Sequence, residues 1–271
     1  MLLIFSLKLG GYKVSTQNNY ISTSLKRGLD ILRLFNEENA SLSLSEISQK
    51  LGVSRSVPYR LMYTLKEEGY VVQDSATKRY KLSPRVLNLG YSYINSFKLP
   101  ELVHPYLEEI KNEINASCYL SVLDERHVVY VGAATVNELT GINVSIGTRL
   151  PSTVIANGKL LLSYQPQDKI QEILDKEELH RSPNERSFKS RKQLIEELRL
   201  IKEQGYAKGD QEYIDYISSV AVPIFDSSDQ AVAAINAVVP NTSFDKNFLL
   251  KTALPKLLEV SEKINNYEKV N

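Results

Sequence analysis

Ser43-Leu44-Ser45-Glu46-Ile47-Ser48-Gln49-Lys50-Leu51-Gly52-Val53-Ser54-Arg55-Ser56 is the stretch whose reading decides the fold. Ser43 and Glu46 stand three apart. That is the spacing of a capping box, in which the serine accepts from a backbone N–H and the glutamate reaches back. Leu44, Ile47 and Leu51 then form one apolar stripe of a short helix, and Gly52 suits the left-handed residue that ends it. Ser54 can cap a second helix, with Val57, Leu61 and Leu65 on one face and Gly69 as its stop. Pro58 sits awkwardly with a cap at Ser54, because there it removes an early helix hydrogen bond and crowds a carbonyl.

Working outward, Leu25, Leu29, Leu32 and Phe35 recur at helical spacing over residues 24–36. Downstream, Val71-Val72-Gln73 and Arg79-Tyr80-Lys81-Leu82 flank the polar run Asp74-Ser75-Ala76-Thr77-Lys78 and predict a hairpin. Helix, helix, turn, helix and two-stranded wing predict a winged helix-turn-helix over residues 21–83. Pro84 opens a further helical stretch, a linker helix at 84–97. Residues 98–269 mix types. Helices are predicted at 100–115, 158–164, 167–174, 190–204 and 246–267, and strands at 118–123, 128–134, 219–225 and 231–239. This mixture predicts an α+β domain built on a mainly antiparallel sheet flanked by helices.

Residues 1–20 read as a tail. Lys8-Leu9-Gly10-Gly11 is compatible with a purine-rich ribosome-binding sequence ahead of a start at Val14, which would make residues 1–13 a mis-assigned start. An ordinary tail is the alternative. The apolar opening Met1-Leu2-Leu3-Ile4-Phe5 lacks the basic flank and cleavage site of a signal peptide.

The 271 residues carry 33 Lys and Arg against 32 Asp and Glu, a net charge of +1. The balance is uneven along the chain. Residues 1–90 hold 13 cationic and 7 acidic side chains, and residues 91–271 hold 20 and 25. A basic first third on an acidic remainder predicts that one module meets a polyanion and the other does not. The single cysteine, Cys118, excludes an internal disulfide framework and a Cys-rich zinc site, and points to a reducing, cytoplasmic compartment. No apolar run is long enough to span a membrane as a helix.

At 100° per residue, Arg55, Tyr59, Tyr63 and Lys66 lie opposite the apolar face of the helix from Ser54, with Ser56 and Arg60 on its flank. A face of cations, aromatic rings and hydroxyls can reach base edges and phosphates in a major groove. The candidate DNA-binding residues are Ser45, Ser54, Arg55, Ser56, Tyr59, Arg60, Tyr63 and Lys66, with Lys78, Arg79 and Lys81 on the wing.

Catalysis finds little support. His104, His127 and His180 have no partner at metal-ligand spacing, so no metal or cofactor is expected. Cys118 lies in an apolar strand, where an inert buried thiol is the simpler reading. Gly158-Lys159 lacks the rest of a phosphate-binding loop. Strand alternation would put Asp210 and Glu212 on one face, as a solvated or ligand-binding pair before an acid–base pair. The alternative to a DNA-binding regulator is a small-molecule-binding or catalytic domain with an accessory helix-turn-helix.

From about Ser22 to Lys263 the chain resembles the IclR-type bacterial transcriptional regulators. The resemblance rests on Ser24-Leu25-Lys26-Arg27-Gly28-Leu29-Asp30-Ile31-Leu32, on Leu44 to Val53, on Tyr59-Arg60-Leu61 with Leu65 to Tyr70, and on Arg79-Tyr80-Lys81-Leu82. It continues through Leu150-Pro151, Ala156 with Gly158-Lys159, Gly205-Tyr206-Ala207 with Asp210-Gln211-Glu212, and Val220 to Asp226. It implies a GAF-like effector-binding domain, a homodimer or dimer of dimers, double-stranded palindromic operator DNA and a small-molecule effector. Family effectors are commonly organic acids or aromatic compounds. Carried over by position, the effector site comprises Gly158, Asp210, Ser219, Asn236 and Val238. The chain departs from the family where Ile214-Asp215-Tyr216-Ile217-Ser218 replaces Glu-Pro-Gly-Val-Arg, so the glycine and the cation are missing. Ser219 stands where a cysteine is frequent, and Asn236 and Val238 stand for two common serines. By its residues Asn157-Gly158 would read as a tight turn. The resemblance makes Gly158 part of a helix start facing the pocket.

Overall fold

The computed structural model describes residues 20–36, 38–136, 144–176, 190–242, 244–245 and 247–270. Residues 1–13, read above as a mis-assigned start, and His180 lie outside them.

 The chain divides into two compact units, the first ending at Tyr91 and the second beginning at Ser92.

In the first unit α1 (Thr23–Arg33), α2 (Leu44–Leu51) and α3 (Ser56–Glu67) precede the hairpin β1 (Val71–Gln73) and β2 (Tyr80–Leu82), and the following helix α4 (Val86–Ser96) contains the division between the units. The capping box forms. Ser43 Oγ accepts from Glu46 N at 3.3 Å, and Glu46 Oε2 accepts from Ser43 N at 2.7 Å. Gly52 closes α2 with φ 64°, a left-handed conformation that costs glycine little. The core gathers Ile31, Phe35, Leu42, Ile47, Met62, Val71 and Tyr80. A bridge from Leu42 to Tyr80 ties the segment before α2 to the wing.

Two expectations change here. The expected stripe reaches the core only through Leu32 and, just past α1, Phe35, with Ile31 as the buried residue of the helix, whereas Leu25 and Leu29 are 65% and 44% exposed. Both sets satisfy helical spacing, and the docking direction of the helix chooses between them. The second change concerns Ser54, which does not cap α3. The helix begins at Ser56 with Arg55 as a cap that makes no side-chain hydrogen bond, and the Ser54 hydroxyl lies 3.0 Å from that of Ser56. Pro58 thereby falls in the first turn, where its missing N–H would have no helical acceptor. It is buried on the inner side with Met62.

The second unit is built on one antiparallel sheet of order β5-β4-β3-β8-β7-β6. Its strands are β3 (Ser117–Asp124), β4 (His127–Ala134), β5 (Arg149–Pro151), β6 (Ala207–Asp210), β7 (Ile217–Phe225) and β8 (Ala231–Pro240). The helices are α5 (Leu99–Ile114), α6 (Ala156–Ser163), α7 (Gln167–Lys176), α8 (Arg191–Gln204) and α9 (Leu254–Val270). A π-helical turn at Leu249–Ala253 leads into α9. Alternation along the strands sorts the faces. Val220, Val222 and Ile224 of β7, with Ile235, Ala237 and Val239 of β8, pack with α5 and α9. Ala221 and Ala234 face α6 and α8 instead. Cys118 belongs to the α5–α9 layer, where burial pushes its thiol up to about 12. Asn157-Gly158 is helical, not a turn.

Glu46 makes the first unit acid-sensitive. Hydrogen bonds from Ser43, and then from Arg79, hold its carboxyl at about 2, below the ordinary 4.5. A depressed carboxylate contributes stability that is complete above the unfolded-state value and is lost as pH falls through the folded one. The hydrogen-exchange protection of the Leu42 and Ile47 amides, relative to unstructured amides at the same pH, should therefore fall between about pH 5 and pH 2. In Glu46→Gln the same amides should exchange faster at neutral pH and change less on acidification. Equal acid sensitivity in the two proteins would contradict this role.

Candidate functional site

α3 is held by a narrow inner stripe. Met62 and Pro58 are buried, with Leu61 and Leu65 packed beside them. The rest of the helix is open: Ser54, Arg55, Ser56, Tyr59, Arg60, Tyr63 and Lys66 are all exposed, as is Ser45 on α2. Tyr59 and Tyr63 are each 60% exposed, so most of each ring is left open to solvent. An open groove of about 890 Å³ runs along α3, bordered by Ser56, Tyr59, Arg60 and Tyr63 and, from α1, by Ser24 and Arg27. The two α1 residues escaped sequence reasoning, which counted only the apolar spacing of that helix.

The wing tip is shaped by Asp74, whose Oδ1 accepts from Ala76 N at 3.0 Å, Thr77 N at 2.7 Å and Thr77 Oγ1 at 2.9 Å. Lys78 follows with φ 58°, and Lys78 and Lys81 are exposed. Arg79 departs from expectation. Its guanidinium donates to Ser41 Oγ at 3.0 Å and Ser41 O at 2.8 Å, and pairs with Glu46 at 2.9 Å. The side chain is turned inward to satisfy the end of α2, so it fastens the wing. By contrast Arg55, Arg60, Lys66, Lys78 and Lys81 form no ion pair with a described residue.

In the second unit a cavity of about 70 Å³ lies between the sheet and the start of α6. Ser219 and Val238, paired in register on β7 and β8, line it, and so does Asn236. Tyr130, Asn157, Glu212, Tyr213, Ile214 and Ile217 complete much of the wall; sequence reasoning did not single out Tyr130 or Tyr213 and read Asn157 only as part of a turn. The Tyr130 hydroxyl hydrogen-bonds to the Asn157 side chain, while burial pushes its titration up to about 12. Asn157 Nδ2 donates to Ser121 Oγ at 2.8 Å. Asn236 is 1% exposed, and its Oδ1 has no hydrogen-bond partner among the described residues.

Two carried-over positions fall outside the wall. A Cβ on Gly158 would stand 2.5 Å from Ser152 Cα, so this glycine permits a close backbone approach and does not face the cavity. Asp210 is exposed on β6 and accepts from Ser218 Oγ at 2.8 Å. The strand ends there. Gln211 takes φ 58° and breaks the alternation, so Glu212 turns inward while Asp210 does not. Lys159 has a fully buried side chain, with Nζ 2.7 Å from Glu212 Oε2 and 2.8 Å from Glu197 Oε1. Burial raises the Glu212 carboxyl above its ordinary value, against the downward pull of Lys159.

Among the described residues no three His, Cys, Asp or Glu side chains gather as a metal site. No described helix is long and apolar enough to cross a membrane.

The description "Bacterial transcriptional regulator IclR C-terminal" matches residues 91–266, and "IclR helix-turn-helix domain" matches residues 24–75. The chain belongs to the IclR family. Among curated IclR relatives, the Pca regulon regulatory protein of Pseudomonas putida is 31% identical over 240 residues, covering 88% of this chain and 81% of its own. The HTH-type transcriptional regulator KdgR of Escherichia coli is 28% identical, covering 84% and 86%. The crystal structure of the transcriptional regulator RHA06195 from Rhodococcus sp. RHA1 superposes with a TM-score of 0.79 at 32% identity, covering 93% of this chain and all of that one. The α+β architecture, with a helix-turn-helix before a domain of antiparallel sheet and helices, is that of the family, and so is the role of DNA-binding regulator with an effector-binding C-terminal domain.

A buried ammonium between two carboxylates cannot lose its charge cheaply. Lys159→Met should lower the stability of the protein to urea by about 3–5 kcal/mol, because two acids are left without their cation. Adding Glu212→Gln should recover part of that loss. A double variant less stable than Lys159→Met alone would refute the pairing.

Proposed function

We propose that this protein represses a metabolic operon by binding operator DNA through α3 and the wing, with the operator affinity set by a small molecule held in the cavity beside α6. The observation that carries the DNA reading is the exposed face of α3, where Arg55, Arg60 and Lys66 stand without ion-pair partners among the described residues and Tyr59 and Tyr63 are left uncovered. Such a helix fits a major groove about 12 Å wide, and cations without protein partners suit phosphates and guanine edges. Lys78 and Lys81 add phosphate contacts from the wing. The sign of regulation rests on the resemblance to the family, in which blocking polymerase is the commoner outcome.

A homodimer, or a dimer of dimers, suits the operator. Leu25 and Leu29 of α1, with Leu87, Leu89 and Tyr91 of α4, are exposed apolar side chains that a second copy would cover. Two recognition helices would then meet half-sites about 34 Å apart, or a multiple of that. The effector acts by favouring one of two conformations. Linkage requires that operator DNA change effector affinity by the same factor as effector changes operator affinity. We assign the cavity no catalytic role and the protein no cofactor, and we place it with its DNA in the cytoplasm. The effector-site residues are Ser219, Asn236 and Val238, with Glu212 in the part expected of Asp210 and with Gly158 serving the packing of α6.

Arg55→Ala and Arg60→Ala should each weaken binding to the operator by about 1–3 kcal/mol, the worth of a base contact. A mobility-shift titration on the DNA flanking the protein's own gene measures both. Unchanged affinity in both variants would move the reading surface off α3.

A further inference from the structure

The open groove of about 890 Å³ along α3 is shared with a second helix. Its described lining holds two guanidiniums, Arg60 of α3 and Arg27 of α1, and no carboxylate. The hydroxyls of Ser24 and Ser56 and the phenols of Tyr59 and Tyr63 border the same space. Two cations in one polar groove, with no acid between them, suit an anion that carries several acceptor oxygens. Arg27 also escapes the pairing on its own helix. Asp30, the only acid of α1, accepts from Lys26 at 2.8 Å and from Arg33 at 3.3 Å, and Arg27 forms no ion pair with a described residue.

The winding of α1 separates this groove from the apolar surface that a second copy would cover. At about 100° per residue, Ser24 and Arg27 fall on either side of Ile31, the buried residue of the helix, while Leu25 and Leu29 stand roughly opposite. A copy seated on the leucines therefore leaves the groove open. Ser24 is exposed and Arg27 partly so, and α1 packs beside α3. A helix is about 10–12 Å across with its side chains, and the major groove is about 12 Å wide. A helix seated in that groove has its flanks against the two strands that border it, so an element packed on one flank meets that strand next.

We propose that α1 is a second DNA-contacting element: one strand of the duplex runs along the groove between α1 and α3, and Arg27 and Ser24 hold its phosphates while α3 reads the bases. A guanidinium offers a planar fork of donors to phosphate oxygens, and the serine hydroxyl adds a short donor beside it. Phosphate contacts set the register of a recognition helix and carry no sequence information of their own. Arg27 therefore positions α3 in the major groove, whereas Arg55 and Arg60 supply the discrimination between bases. The proposal rests on the reading of α3 as the recognition helix.

Anisotropy titrations of the full chain on two duplexes test it, one from the DNA flanking its own gene and one of unrelated sequence with equal length and composition. Arg27→Ala should lower the affinity for both by the same factor, about ten-fold, as the loss of one charge-assisted bond. It should also make the fall of log affinity with log salt shallower by about one for each copy of the chain bound. Arg27→Lys keeps the charge and should keep the slope and most of the affinity. Ser24→Asp holds the test open if the alanine variant fails to fold. An acid in the first turn of α1 favours the helix, yet it should repel phosphate and weaken binding to both duplexes. A loss confined to the flanking DNA, an Arg27→Lys protein whose slope falls as that of Arg27→Ala does, or full affinity in both Arg27→Ala and Ser24→Asp would overturn the proposal. The unsubstituted chain separates the two readings. If it binds DNA and neither variant weakens it, α1 leaves the interface and α3 stays. If it binds neither duplex, both readings fall.

Discussion

A charge without a partner is expensive away from water, and this constraint orders both units of the molecule. Lys159 is fully buried, so it is held between Glu197 and Glu212, and those two bonds join α6 to α8 and to the segment after β6. Arg79 is half-buried, so its guanidinium is taken up by Ser41 and Glu46. Arg55, Arg60, Lys66, Lys78 and Lys81 are among the cations the fold leaves in water.

The same pairing shapes the cavity. Because Lys159 draws Glu212 inward, the wall gains a carboxylate where a strand continued past Asp210 would have exposed it. The described wall holds no cation beside that carboxylate. Ser218, at the place where the family usually has arginine, spends its hydroxyl on Asp210 outside the cavity. Ser219 and Asn236, two side chains that differ from the family's common choice, line the cavity instead.

Local signals were legible in the sequence and tertiary ones were not. The capping box of Ser43 and Glu46 and the stop at Gly52 depend on neighbouring residues, and both stand in the structure as read. The long strands β3, β4, β7 and β8 followed from runs of apolar residues, although the three-residue β5 and four-residue β6 carry too little pattern to be seen. Leu25 and Leu29 keep helical spacing as well as Ile31 and Phe35 do, and no periodicity separates them. Arg79 meets Ser41 from 38 residues away, a contact that its place in a basic wing concealed. Asp210 and Glu212 share a face only if the strand runs straight, and the left-handed turn at Gln211 is invisible in composition. Ser219, Asn236 and Val238 reached the cavity list by position in the family, and strand register brings them to one wall.

The central claim is that the unpaired cations of α3 and the wing meet phosphates. Fluorescence anisotropy of the full chain on duplex DNA flanking its own gene, repeated between about 50 and 200 mM salt, tests this most directly. The account predicts a linear fall of log affinity with log salt, and a slope shallower by about one in Lys78→Ala. Binding indifferent to salt, or a slope that Lys78→Ala leaves unchanged along with those of Lys66→Ala and Lys81→Ala, would contradict it.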